Sequence, residues 1–206
     1  MERQSVGGQK INNKMSDPWF RKTFDLPEEA QDAIIYVASI GYHELYVNGR
    51  KVGDAVLSPS VTDHKSRARY MTYDITQYLN SGENVIALWL GVSWSIFPAY
   101  QRVGEPAIPM ALVQMEMELL SGEKQRLISD ETWKVHASPN TLIGYWEAHH
   151  FGGEFYDASL EKPGWNTTGF DDTDWLQAKV YEPKIVVSAD KTEPNRLVKE
   201  IKPLSV

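Results

Sequence analysis

The sequence predicts an all-β protein, an antiparallel β-sandwich of jelly-roll type, on three observations. Short segments alternating apolar with polar residues recur along the chain, the two-residue period of half-buried strands. Clusters of Gly, Pro, Asn and Asp separate these segments. Almost no stretch carries the 3.6-residue period of a helix, and many short strands joined by tight turns bury their apolar faces best as two stacked sheets.

Taken in order, residues 1–17 are polar, with Gly7-Gly8 and Asn12-Asn13, and read as a flexible arm. The jelly-roll domain is placed at 18–183, and 184–206 is read as a linker and the first strand leading to a following domain. Trp19 to Phe24 is a first strand, stopped by Asp25-Leu26-Pro27, and Ile34 to Ser39 is a β-branched run. From Gly41 to Asp54, Tyr42, Glu44 and Tyr46 alternate with His43, Leu45 and Val47. Asn48-Gly49 then supplies two residues tolerant of positive φ, which a type I′ hairpin turn requires. Arg67 to Tyr73 alternates as a strand after a loop at Pro59 and Thr62-Asp63-His64. Asp74 to Leu79 reads as one helical turn capped by Asp74, and Asn84 to Leu90 as a nearly continuous apolar core strand.

Gly91 to Pro109 breaks the pattern with Trp94, Phe97 and Tyr100 among glycines and prolines; long loops inside compact domains are usually functional or mobile. The cleanest alternation runs from Ala111 to Leu120. It sets Ala111, Val113, Met115, Met117 and Leu119 on one face against Gln114, Glu116 and Glu118, and Ser121-Gly122 turns the chain back through Gln125 to Ser129. Short strands follow at Trp133 to Ala137 and Phe155-Tyr156, then a turn-rich aromatic loop from Gly164 to Trp175 and a last strand at Gln177 to Tyr181.

Composition narrows the function. With no cysteine, disulfides, thiol catalysis and Cys-ligated zinc are excluded. A formal charge of −7 argues against a nucleic-acid partner. The one basic run, Lys65, Arg67 and Arg69, reads as a solvated strand face. No apolar run reaches the length of a membrane span, so no membrane partner is expected. Seven Trp and ten Tyr point to aromatic surfaces in the core or in a groove.

Seven stretches, in order, resemble the N-terminal jelly-roll domain of bacterial α-L-rhamnosidases of glycoside hydrolase family 78. They are Trp19 to Phe24, the hairpin from Gly41 to Asp54, Leu57-Ser58-Pro59 through Thr62-Asp63, and Tyr73-Asp74-Ile75-Thr76. The remaining three are Gly82-Glu83-Asn84-Val85-Ile86, Gly153 to Ala158, and Gly164-Trp165 with Gly169 to Trp175. Related galactose-binding-like folds share the hairpin and the last loop; the ordered set is the specific signal. The resemblance implies a non-catalytic, carbohydrate-binding or ancillary domain of a multidomain enzyme that removes terminal rhamnose. The chemistry would reside in a later (α/α) barrel, and the partners would be a rhamnose-containing glycan and the following domains. The alternative is a purely structural domain buttressing that barrel. A periplasmic or extracellular bacterial location is favoured over the cytoplasm.

A sugar site needs an aromatic face beneath the C–H side of the ring and polar groups on its hydroxyls. Trp94 is the first candidate platform, with Trp146 and Tyr100 behind it; packing under its own loop is the competing reading. Asp63 can accept two hydroxyl protons and His64 can donate or accept, although Asp63 also suits an Asx turn. The resemblance implies calcium-assisted rhamnose binding through an Asp-Asn pair and a Trp, which align with Asp63, His64 and Trp94. Histidine stands where the family has Asn, and calcium prefers oxygen donors, so no cofactor is expected. His149-His150 would point to opposite faces of a strand and offers no metal site. Glu44, Glu154 and Asp157 form no facing pair of the kind a glycosidase uses, so hydrogen bonding within the domain is expected of them and no catalytic residue is assigned.

Overall fold

The computed structural model describes residues 17–96, 109–143 and 152–202. The strands among them are β1 (Trp19–Leu26), β2 (Ala30–Ile40), β3 (Tyr42–Val47), β4 (Arg50–Lys51), β5 (Ala55–Val56), β6 (Arg67–Asp74), β7 (Gly82–Gly91) and β8 (Met110–Leu119). There follow β9 (Lys124–Ile128), β10 (Lys134–His136), β11 (Asn140–Ile143), β12 (Gly153–Tyr156), β13 (Leu176–Gln177), β14 (Val186–Ala189) and β15 (Asn195–Arg196). Only short 3₁₀ turns, such as Thr76–Tyr78 and Ser93–Ile96, interrupt them. No helix among the described residues is long and apolar enough to cross a membrane.

Two large sheets form the sandwich: six strands in the order β13-β10-β1-β7-β3-β4, and five in the order β14-β6-β2-β8-β9. Pairing is antiparallel except between β14 and β6. The expected alternation of β8 is realised, with Val113, Met115, Met117 and Leu119 buried. They meet Ala33, Ile35 and Val37 of β2 and, from the facing sheet, Leu45, Val47, Ile86, Leu88 and Leu90.

The near-continuous apolar run in β7 has a simple cause: this strand is buried on both faces. Ile86, Leu88 and Leu90 point into the sandwich, whereas Ala87 packs outward with Trp19, Trp165 and Trp175. The Gly164–Trp175 loop is the cover on that outer side. Its Trp165 stacks on Trp19 at 4.8 Å and 11°, and Trp175 lies 6.4 Å from both. Arg21, 1% exposed, fastens the loop from below by donating to the Thr167 carbonyl at 2.9 Å, the Phe170 carbonyl at 3.3 Å and the Asp172 carboxylate.

The hairpin turn is type I′ in character, with φ +50° at Asn48 and +81° at Gly49. Asn48 does more than bend the chain. Its Oδ1 accepts from the Val85 amide at 2.8 Å, and its Nδ2 donates to the Tyr78 carbonyl at 2.9 Å and to Asn84 Oδ1 at 2.8 Å. Asn84, fully buried, spends its remaining bonds on Asn80 and Gly82, so its polar atoms are satisfied. Gly49 donates to the Asn166 carbonyl at 2.8 Å, and a Cβ there would sit 2.8 Å from Thr167 Cγ2. The turn is therefore packed under the same loop that Arg21 holds.

Within 184–206, β14 extends the five-stranded sheet beside β6 and β15 pairs with β5. Arg69 and Arg67, expected on a solvated face, reach this segment: Arg69 bonds Asp190 at 3.1 Å and Thr192 at 2.8 Å, and Arg67 bonds Ser188 at 2.9 Å.

Candidate functional site

The sheet register gathers the candidate loops at one end of the sandwich. β2 ends at Ile40 opposite Met110, the first residue of β8, and Tyr42 opens β3 opposite Gly91, the last residue of β7. β6 starts at this end too, with Ser39 facing Arg69. The connection bearing Asp63 and His64 and the turn bearing Trp94 thus leave the same end. Tyr100, Trp146 and His149-His150 lie outside the described residues.

Asp63 is exposed and makes an Asx turn. Its carboxylate accepts from the Lys65 amide at 3.1 Å and Ser66 Oγ at 3.4 Å, and its carbonyl accepts from the Ser66 and Arg67 amides. The turn starts β6 and orients the carboxylate; a carboxylate has about four acceptor positions, and these contacts use two. His64 is buried, and that burial lowers its pKa against the opposing pull of the Asp63 charge, so the neutral ring persists further into acid. Trp94 is half-buried in the Ser93–Ile96 turn, which Ser95 closes by donating its amide to the Val92 carbonyl at 2.9 Å and its hydroxyl to the same oxygen.

Asp17, the last residue of the expected arm, supports that turn. It is buried, accepts from the Val92 amide at 2.8 Å and from Asn140 Nδ2 at 2.6 Å, and burial pushes its carboxyl up to about 6. No local pattern marks it, because its partners are 75 and 123 residues away. Behind the loops, Ser39 Oγ lies 2.8 Å from His43 Nδ1, and His43 Nε2 3.0 Å from the Tyr73 hydroxyl. Complete burial takes His43 down to about 3, so this trio is a neutral, structural network. Glu44 is engaged by Lys51 and the Tyr46 hydroxyl, and Asp157 caps the Ala158–Leu160 turn.

Among the described residues, Asp63 and His64 do not make a calcium donor set. That ion takes six to eight oxygens; here Asp63 brings one carboxylate tied into its own turn, and the neighbouring side chain is a buried imidazole. Among the described residues no three His, Cys, Asp or Glu side chains converge as metal ligands.

The model of the α-L-rhamnosidase N-terminal domain matches residues 28–199. An α-L-rhamnosidase of Formosa agariphila is 33% identical over 196 residues, which are 91% of this chain and 20% of the relative. The solved α-L-rhamnosidase of Dictyoglumus thermophilum superposes with a TM-score of 0.79 at 34% identity, over 92% of this chain and 20% of that one. A Streptomyces avermitilis α-L-rhamnosidase complexed with L-rhamnose also gives 0.79, at 29% identity over 93% of this chain and 18% of that one. The chain spans about a fifth of the length of such relatives. With the fold, the ordered motifs and the family model in agreement, the chain belongs to the α-L-rhamnosidase N-terminal domain family.

Proposed function

We propose that the domain is a non-catalytic carbohydrate-binding module of a multidomain α-L-rhamnosidase acting on terminal rhamnose, with its sugar site at the loop end of the sandwich. The observation that supports this reading is that the loops bearing an exposed, turn-oriented Asp63 and a half-buried Trp94 leave the same end of the sheets. The indole receives the methyl and C–H face of the sugar, Asp63 accepts vicinal hydroxyls, and neutral His64 shapes the wall beside it. One ring and a few hydrated hydrogen bonds correspond to a Kd of roughly 0.1–10 mM.

Calorimetric titration of L-rhamnose against the wild type and Trp94→Ala tests the proposal. Binding should weaken at least severalfold in the variant and be indifferent to a calcium chelator. Equal affinities would remove Trp94 from the site. A second reading, a buttress for neighbouring domains, is favoured by the exposed Ile143, Phe155 and Leu160 on and beside the β11–β12 hairpin. Absence of binding at saturating sugar would leave that reading in place.

A further inference from the structure

The outer face of the five-stranded sheet carries a groove with the chemistry of a second sugar site. Ala38 of β2 lies in register between Tyr70 of β6 and Leu112 of β8. Its single methyl leaves a gap between two large neighbours. Tyr36 and Gln114 extend the gap along β2 and β8, and Val187 of β14 walls its far side, leaving an open groove of about 280 Å³. That volume is near the lower end of small-ligand sites, roughly 300–1,000 Å³, and suits one ring.

The lining is amphipathic and uncharged. Tyr36 and Tyr70 meet edge to face at 5.9 Å and 81°, a contact that holds both rings in place. The polar edge is fixed as well. Gln114 Nε2 donates to Glu116 Oε1 at 2.7 Å, and the same oxygen accepts from Arg126 Nε at 2.7 Å. With its nitrogen engaged in this way, the Gln114 amide has its carbonyl oxygen to offer a ligand hydroxyl as an acceptor. An ionic ligand would find no opposite charge in this lining. A protein partner needs a contiguous surface of about 800 Å², and along β8 this face turns charged at the Arg126–Glu116 and Lys124–Glu118 pairs.

We propose that this groove binds a single neutral pyranose, its C–H face on the Tyr70 and Leu112 side and its hydroxyls at Gln114. A 6-deoxyhexose is favoured, since its methyl would rest on the exposed side chains of Leu112 and Val187. The ligand class rests on reading the domain as carbohydrate-binding; the residues are distinct from Asp63, His64 and Trp94.

The test is an NMR titration of the full chain with L-rhamnose, following the Ala38, Leu112 and Val187 methyl groups in the wild type, Trp94→Ala, Tyr70→Ala and Gln114→Ala. These methyls should shift saturably in the wild type and in Trp94→Ala alike. Tyr70→Ala should weaken the response roughly three- to tenfold. Gln114→Ala, at an exposed position where folding is not at risk, should weaken it too. Methyls that stay still while loop-end signals move would overturn the groove and leave the loop-end site standing. Silence at both places would overturn both, and groove shifts unchanged in Tyr70→Ala and Gln114→Ala would overturn the assignment of these residues.

Discussion

The outer faces of the two sheets both carry aromatic residues, and their fates differ. On the six-stranded sheet, Trp19 sits 2% exposed beneath Trp165 and Trp175, with Tyr46 and Phe170 at the margins. On the five-stranded sheet, Tyr36, Tyr70 and Leu112 line an open groove. The difference is the cover: the Gly164–Trp175 loop crosses one face, and no described segment crosses the groove on the other. An aromatic cluster roofed by its own chain is part of the fold's stability, whereas one left open is available to a ligand.

The strongest way to break this contrast is to unfasten the roof. Arg21→Ala removes the donor to two loop carbonyls and strands the Asp172 carboxylate with Lys134 alone, 3.4 Å away. Loss of one partner of a buried pair costs about 3–5 kcal/mol, so the denaturation midpoint should fall steeply and Trp165 and Trp175 should gain solvent exposure by fluorescence quenching. An unchanged midpoint would show that the roof is held by stacking alone.

Gly49→Val attacks the same roof from the hairpin. Strain at positive φ and the clash with Thr167 Cγ2 together should cost roughly 2–4 kcal/mol. Thr167→Ser removes that methyl while keeping the hydroxyl that donates to the Gly164 carbonyl. In the double variant the clash should vanish and the φ strain remain, so partial recovery is expected; none would mean that only the backbone matters.

The next effect lies at the seam where β1 enters the covered face. Asp17 has a folded pKa of about 6 against 3.8 unfolded, so the folded state holds its proton more tightly. Its protonation therefore favours folding most fully below pH 3.8, and that contribution is lost as pH rises to about 6. The loss is on the order of 3 kcal/mol. Stability measured from pH 4 to 7 should show this decline in the wild type and lack it in Asp17→Asn. A decline of equal size in both would place it on another group.

The smallest effect belongs to the open face. Leu112→Ser should change stability by no more than about 0.5 kcal/mol, because Leu112 is already exposed. A larger loss, read by the same denaturation, would mean that this face is covered after all.

What the sequence by itself determined is what consecutive residues can encode. The alternation from Ala111 to Leu119 specifies both the strand and its buried side, and Asn48-Gly49 specifies the turn, since neither needs a distant partner. The apolar run of β7 even announces burial on both sides. The candidate site was legible only as residue types. Asp63 and Trp94 are suited to gripping a sugar, but their arrival at one end of the sandwich depends on how β2, β6, β7 and β8 register. Tertiary structure alone decided that Arg21, in an alternating strand, is buried, that Asp17 is an interior carboxyl, and that His64 is shielded beside an exposed Asp63. Each of these depends on what lies above the residue. Arg21 is covered by a loop about 150 positions away, and a two-residue period records which side a residue faces but carries no information about what covers that side.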